Sequence, residues 1–303
     1  MNLTIAYSTC RREPHFDWFF ESLARQCDLA SVRVVVVDYF AEEAGRRELL
    51  SALCPGVIHV SPKPSVWQGL YRLTSRDYFA PSNARNTALC HASDGWIAYA
   101  DDLSVLMPGW MACVQEAMRL GHVRLGAYRK VCRLVVRDGL VVSFENHHAG
   151  WDTRWHSGSA SAPVTASGSW MFGCSLVAPV EAFLAVNGWD EDCDPMGGED
   201  YAAGMMMERH GWQFAYDRRM LTFESEEDHH KETPFLRIDK GASPNDASHR
   251  MLAMLLGGRD VAPNYFGAGG IRAVRGRVLA GEAFPSPPLP EHDWRDGQPL
   301  REM

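Results

Sequence analysis

Residues 82–110 read SNARNTALCHASDGWIAYADDLSVLMPGW. An alanine-containing helical pattern over 83–92 feeds an apolar, strand-like run over 96–100, which ends at two adjacent acids, Asp101 and Asp102. The same order recurs upstream. Residues 3–7 form a short apolar strand pattern, and Pro14 then opens a helix whose Phe16, Phe19, Phe20 and Leu23 recur at helical spacing. Residues 32–37 are a continuous run rich in valine, as expected for a strand covered on both faces of a parallel sheet, and the run ends at Asp38. Residues 56–60 give a further short strand. This alternation predicts an α/β fold. In open α/β sheets ligands bind beyond the carboxyl ends of the strands, so residues 8–12, Asp38, Asp101 and Asp102 should converge on one crevice.

The second half differs in character. A helix from Pro108 carries Trp110, Val114, Ala117 and Met118 on one stripe, and strand patterns over 133–136 and 140–144 flank an Asp-Gly turn, the signal of a hairpin. Residues 145–168 are rich in Ser, Gly, His and Trp without periodicity and read as a loop over a site. A strand is expected over 170–178, short helices over 179–186 and 199–210, and an edge strand over 213–216. From Phe284 the tail carries five prolines. The expected division is 1–107 and 108–240 as two halves of the same domain, and 241–303 as a C-terminal helix and Pro-rich tail.

With 303 residues, 46% apolar and 22% charged, the chain is not disordered, collagenous or a small disulfide scaffold. A formal charge of −8 is the wrong sign for a protein held mainly by phosphate backbones, so nucleic acid is a disfavoured, though not excluded, partner. No apolar run approaches the roughly 18 residues of a membrane span, and the N-terminus lacks an export pattern. Eight cysteines without a CxxC pair are expected as reduced thiols in a cytoplasmic protein, with peripheral attachment to a membrane left open.

Four clusters carry chemistry. Asp101 and Asp102 offer carboxylates at the crevice mouth, suited to Mg²⁺ or Mn²⁺ on a diphosphate, although such a pair is commonly a solvated turn or a helix cap. Arg85, near a helix start, can approach a phosphate or simply lie on the surface. In Gly197-Gly198-Glu199-Asp200 two glycines permit a tight turn and place two acids in the first turn of a helix, where a carboxylate is a good candidate base or merely part of a cap. His229 and His230 follow a run of acids and could complete a metal site or lie in solvent. Trp151, Trp155, Trp170 and Trp189 could stack on a sugar ring, against the alternative of core packing.

In order, these segments resemble the family 2-like glycosyltransferases of the GT-A fold. The likeness is carried by TIAYSTCRREPHFDWFFESL, VRVVVVDYF, residues 82–110 and a late segment holding Gly-Trp-Asp-Glu and Gly-Gly-Glu-Asp, spanning about Leu3 to His230. It implies a Rossmann-like nucleotide-binding sheet, mixed at its centre and flanked by helices, in a single main domain. It implies a nucleotide-sugar donor, with UDP as the first guess, contacted by Thr9, Arg11, Asp38, Arg85 and Asp101. A Mn²⁺ or Mg²⁺ ion would sit on Asp102 with His229 or His230. The acceptor, a carbohydrate or other hydroxyl compound, would meet Trp170, Trp189 and Asp190. Asp200 would be the base of an inverting transfer, with Glu199 alongside. Two features depart from the family pattern: Leu103 stands where its Asp-x-Asp motif has a second acid, and Asp38 is followed by Tyr39 and Phe40 rather than further acids. Alternatives are a non-catalytic carbohydrate-binding protein, a nucleotidyltransferase on a related sheet, whose Gly-rich loop with a downstream Lys is missing, and a metal-dependent hydrolase, for which HExxH-type spacing is missing.

Overall fold

The computed structural model describes residues 2–73, 77–145, 152–194, 197–226, 235 and 258–287. Strand β1 (Leu3–Thr9) runs parallel to β2 (Arg33–Asp38) on one side and β4 (Trp96–Asp101) on the other, and β3 (Ile58–Val60) adds parallel to β2. Beyond β4 the sheet becomes mixed: β10 (Ser175–Pro179) is antiparallel to β4, and β6 (Val123–Val131) is antiparallel to β10. Then β11 (Phe214–Ser225) lies parallel to β6, and β5 (Ser104–Leu106) and β9 (Val164–Ala166) each pair antiparallel with β11.

The two faces explain the sequence patterns. On one face Leu3, Ile5, Tyr7, Val34 and Val36 pack with helices α1 (Phe16–Ala24), α2 (Arg46–Leu53) and α4 (Trp110–Leu120). On the other, Ala6, Val35, Val37, Ile97 and Tyr99 meet α3 (Pro81–His91), α5 (Val180–Ala185), α6 (Glu199–Arg209) and α7 (Gly270–Leu279). Alternate valines of β2 therefore enter opposite layers, which is why its apolar run is unbroken. Strands β7 (Arg133–Arg137) and β8 (Leu140–Glu145) form the expected hairpin, with Asp138 and Gly139 both left-handed, at φ 50° and 68°.

Several expectations need correction. Strand β6 was not foreseen, and the short edge strand at 213–216 is the start of the twelve-residue β11, which lies between β6 and β5. A register shift between Asp217 and Leu221 interrupts its pattern. The strand expected over 170–178 begins only at Ser175, after a 3₁₀ turn at Gly168–Trp170. The expected loop over 145–168 is partly packed: Asp152 and Arg154 are buried and paired at 2.8 Å, and Arg154 donates to the Gly126 carbonyl. The helix expected after 240 is α7, whose Arg275 donates to the Ala92 carbonyl at 2.9 Å, while the tail beyond 287 lies outside the described residues. Among the described residues no helix is long and apolar enough to cross a membrane.

Candidate functional site

Strands β1 and β4 end side by side, with Ser8 in register with Asp101. The chain leaves β1 to reach β2 on one side and returns to β4 on the other, so a crevice opens where the strand order reverses. A cavity of about 480 Å³ lies there. Ser8, Arg85, Asp101, Asp102, Lys130, Glu199 and Asp200 all line it, so the early and late acid pairs face one space. Successive strand residues normally point to opposite faces. Here β4 stops at Asp101 and Leu103 turns left-handed (φ 59°), which lets both acids reach the cavity. That conformation is costly for a leucine, of order 1–3 kcal/mol. It is held by burial of Leu103 and by the Ser225 N–H, which donates to the Leu103 carbonyl at 3.2 Å.

The late pair sits at the first turn of α6. Gly197 and Gly198, at φ 75° and 87°, make the turn that a side chain would strain. Burial, the neighbouring Glu199 charge and, more weakly, Asp101 push the Asp200 carboxyl up to about 7, against the opposing pull of Arg85 and the Gly173 N–H. Arg85 projects from α3 into the middle of this group. One guanidinium nitrogen donates to Glu199 at 2.9 Å and Asp200 at 3.1 Å, and the other to Asp101 at 3.3 Å. Its plane lies over the Trp189 ring, 4.8 Å from the centroid.

Thr9, Arg11 and Asp102 form a second cluster. The Thr9 hydroxyl donates to Asp102 at 2.8 Å, the Arg11 guanidinium stands 3.1 Å from the same oxygen, and the Arg11 N–H donates to Thr9 Oγ1. Asp38 is fully buried and already surrounded: Arg46 donates to it at 2.7 and 3.1 Å, His59 Nε2 lies at 3.1 Å, and the Phe40 N–H at 2.9 Å. Burial opposes its ionisation, but the His59 and Arg46 hydrogen bonds prevail and hold it below the ordinary carboxylate range. Arg46 also donates to the carbonyls of Arg11 and Arg12, so Asp38 fixes the loop after β1.

The residues expected on the acceptor side are placed differently. Trp189 is fully buried, stacked on Phe183 at 5.0 Å and edge-on to Tyr99 at 5.3 Å, and it does not line the cavity. Asp190 is fully buried, accepts from Arg259 at 2.8 Å and caps the turn Glu191–Cys193. Trp170 is half-buried, edge-on to Tyr216 at 6.0 Å. Trp155 lies beneath the Arg218 guanidinium, while Trp151, His229 and His230 lie outside the described residues.

Sequence reading missed Arg46, His59 and Lys130. Arg46 and His59 hold Asp38. Lys130, on the unforeseen β6, lines the cavity and is backed by the fully buried Glu224 at 3.5 Å. Glu224 itself is pushed up to about 7 by burial, a shift that Lys130 opposes and Asp101 reinforces. The Asp217–Arg124 pair, 2.6 Å apart and without exposure, lets charged residues occupy β6 and β11, which hid these strands from an apolar pattern.

Magnesium and manganese are commonly held by one or two carboxylates together with phosphate oxygens and water. Asp101, whose side chain is 37% exposed, and Asp102 beside it present such an edge to the cavity, and the buried Ser8 hydroxyl there has no hydrogen-bond partner among the described residues. The oxygen chemistry fits a hard cation. Among the described residues no group of three or more His, Cys, Asp or Glu is placed to hold a metal ion.

No protein-family model and no curated protein sequence matches the chain. Solved structures do match. S. aureus TarS 1–349 in complex with UDP superposes with a TM-score of 0.51 at 12% identity, over 74% of this chain and 60% of that one. A longer structure of S. aureus TarS gives 0.50 at 12% identity, over 74% and 37%. GalNAc-T7 with UDP, GalNAc and Mn²⁺ gives 0.51 at 11% identity, over 75% of this chain and 45% of that one. The chain thus spans about half the length of the structures it matches. The fold is α/β with a mixed central sheet flanked by helices, of the GT-A type seen in these glycosyltransferases.

Proposed function

We propose that the chain is a glycosyltransferase, family 2-like, that moves a hexose-type sugar from a nucleotide-sugar donor, a UDP-sugar first among candidates, to an acceptor hydroxyl with inversion. The observation that carries this reading is the single cavity shared by Asp101, Asp102, Glu199 and Asp200 at the carboxyl ends of β1 and β4. UDP in the TarS and GalNAc-T7 structures supports the donor class.

In this reading residues 1–107 bind the donor and 108–240 supply the acceptor side and the base. The unpartnered Ser8 hydroxyl and the Thr9–Arg11–Asp102 cluster meet the diphosphate. Asp38 acts at one remove, holding the Arg11 and Arg12 carbonyls through Arg46. Asp200 takes the proton of the acceptor hydroxyl, whose oxygen attacks the anomeric carbon in line with the departing nucleoside diphosphate. A carboxyl poised at about 7 is half ionised near neutrality, which suits that proton transfer. Glu199, fixed by Arg85, orients the acceptor. A Mn²⁺ or Mg²⁺ ion held by Asp102, with Asp101 beside it and His229 or His230 as further ligand, would supply positive charge against the leaving diphosphate. Eight free cysteines, six of them buried, support a reducing, cytoplasmic setting.

The test is release of nucleoside diphosphate from a panel of sugar nucleotides, with and without Mn²⁺, repeated on Asp200→Asn. Turnover of at least one donor, abolished in the variant with nucleotide affinity unchanged within a few fold, is expected. Absence of both turnover and nucleotide binding points to a carbohydrate-binding protein instead.

A further inference from the structure

Arg85 was expected to touch the nucleotide. Its surroundings assign it another task. The side chain is 8% exposed, and its guanidinium is spent on three protein acids: Glu199 at 2.9 Å, Asp200 at 3.1 Å and Asp101 at 3.3 Å. The group is packed between its neighbours on the ring of Trp189 and the backbone of Gly173. The Trp189 ring lies 4.8 Å from its central carbon. Gly173 is close enough that a Cβ there would stand 2.2 Å from one terminal nitrogen and 2.3 Å from the central carbon. Gly173 carries no positive φ, so what its glycine identity provides is space for this guanidinium. The Gly173 N–H in addition donates to Asp200.

We propose that Arg85 is a positioning residue that couples the donor side of the site to its base: it holds Asp101, at the end of β4, in fixed relation to Glu199 and Asp200, at the start of α6. One guanidinium nitrogen serves both acids of the late pair, Glu199 at 2.9 Å and Asp200 at 3.1 Å, so the two are held at a fixed spacing on the same donor. A planar fork with several fixed N–H groups can bridge three carboxylates at once, whereas a lysine offers a single point charge. Trp189, expected to stack on an acceptor sugar, is the floor on which this fork lies. The assignment rests on the glycosyltransferase reading and deepens it.

The experiment compares kcat and donor KM, by release of nucleoside diphosphate in the presence of acceptor, for wild type, Arg85→Gln, Arg85→Lys and Gly173→Ala, with the melting temperature of each. Gly173→Ala retains the arginine and displaces it, so it tests position separately from charge. Expected are a fall in kcat of at least about 100-fold for Arg85→Gln and Gly173→Ala, donor KM within about threefold of wild type, and recovery of at least about tenfold in Arg85→Lys. A donor KM that rises as far as kcat falls makes Arg85 a nucleotide contact and overturns the proposal. So does full activity in Gly173→Ala, or losses that track melting temperature alone. Failure on these terms with an active wild type removes the Arg85 assignment only; a wild type that turns over no donor removes the glycosyltransferase reading and this assignment together.

Discussion

The hydroxyl of Thr9, the last residue of β1, donates to Asp102 at 2.8 Å, across 93 positions of sequence. With Arg11 at 3.1 Å on the same oxygen, it fixes the direction of a carboxylate that would otherwise rotate. Thr9→Val keeps the volume and removes the donor. A hydrogen bond to a charged group contributes about 1.5–3 kcal/mol, so the variant should bind UDP with Mn²⁺ about tenfold more weakly. Titration calorimetry measures this, and chelation of the metal should erase most of the difference between variant and wild type.

Asp200 gives a pH prediction with a definite sign. Only its ionised form is a base, so kcat should rise as pH passes through about 7 and level off above it. Asp200→Asn should lower kcat by about 10²–10⁴ and flatten that limb. Stability runs the other way. The native carboxyl keeps its proton above the ordinary value of 3.8, so ionisation weakens the fold as pH climbs from about 4 to about 7. Asp200→Asn should therefore melt higher than wild type at pH 8 and at the same temperature near pH 3.

Asp38 behaves oppositely. Its carboxylate is held below the ordinary range, so the stability it contributes is present above the unfolded value and is lost as pH falls through the native one. Asp38→Asn leaves Arg46 buried beside a neutral partner. A loss of about 3–5 kcal/mol at pH 7 is expected in denaturant unfolding, shrinking under acid conditions.

Gly204, in the middle of α6, gives a sign reversal. In an exposed helix Gly→Ala stabilises by about 1 kcal/mol. Here an added Cβ would stand 2.0 Å from the Gly168 carbonyl oxygen, and one at Gly168 would stand 2.1 Å from the Gly204 carbonyl oxygen. Gly204→Ala should cost about 1–3 kcal/mol by overpacking and shift the helix that carries Glu199 and Asp200. Chemical denaturation, with transfer assayed alongside, checks both effects.

Strands β1, β2 and β4 were legible because each is a largely apolar run ending at a polar residue, and the terminal acids of β2 and β4 follow from that rule. Asp101, Asp102, Glu199 and Asp200 could be proposed as partners across one space because two separate segments each place paired acids at an element end. What remained hidden depends on long-range pairing. Arg124 and Asp217 neutralise each other inside the sheet, so β6 and β11 lack an apolar signature. Arg46 and His59 mean nothing until Asp38 stands between them. Trp189 carries no local sign of whether it faces sugar or core, and the Arg85 guanidinium across its face is visible only in three dimensions.

The clasp that Arg85 makes spans 114 and 115 positions to Glu199 and Asp200. Contacts of such separation close late on the way from a random coil, after the local βα units have formed. In a stopped-flow experiment the circular dichroism signal should therefore return before ligand affinity does, with the lag marking the moment the two parts of the chain first meet.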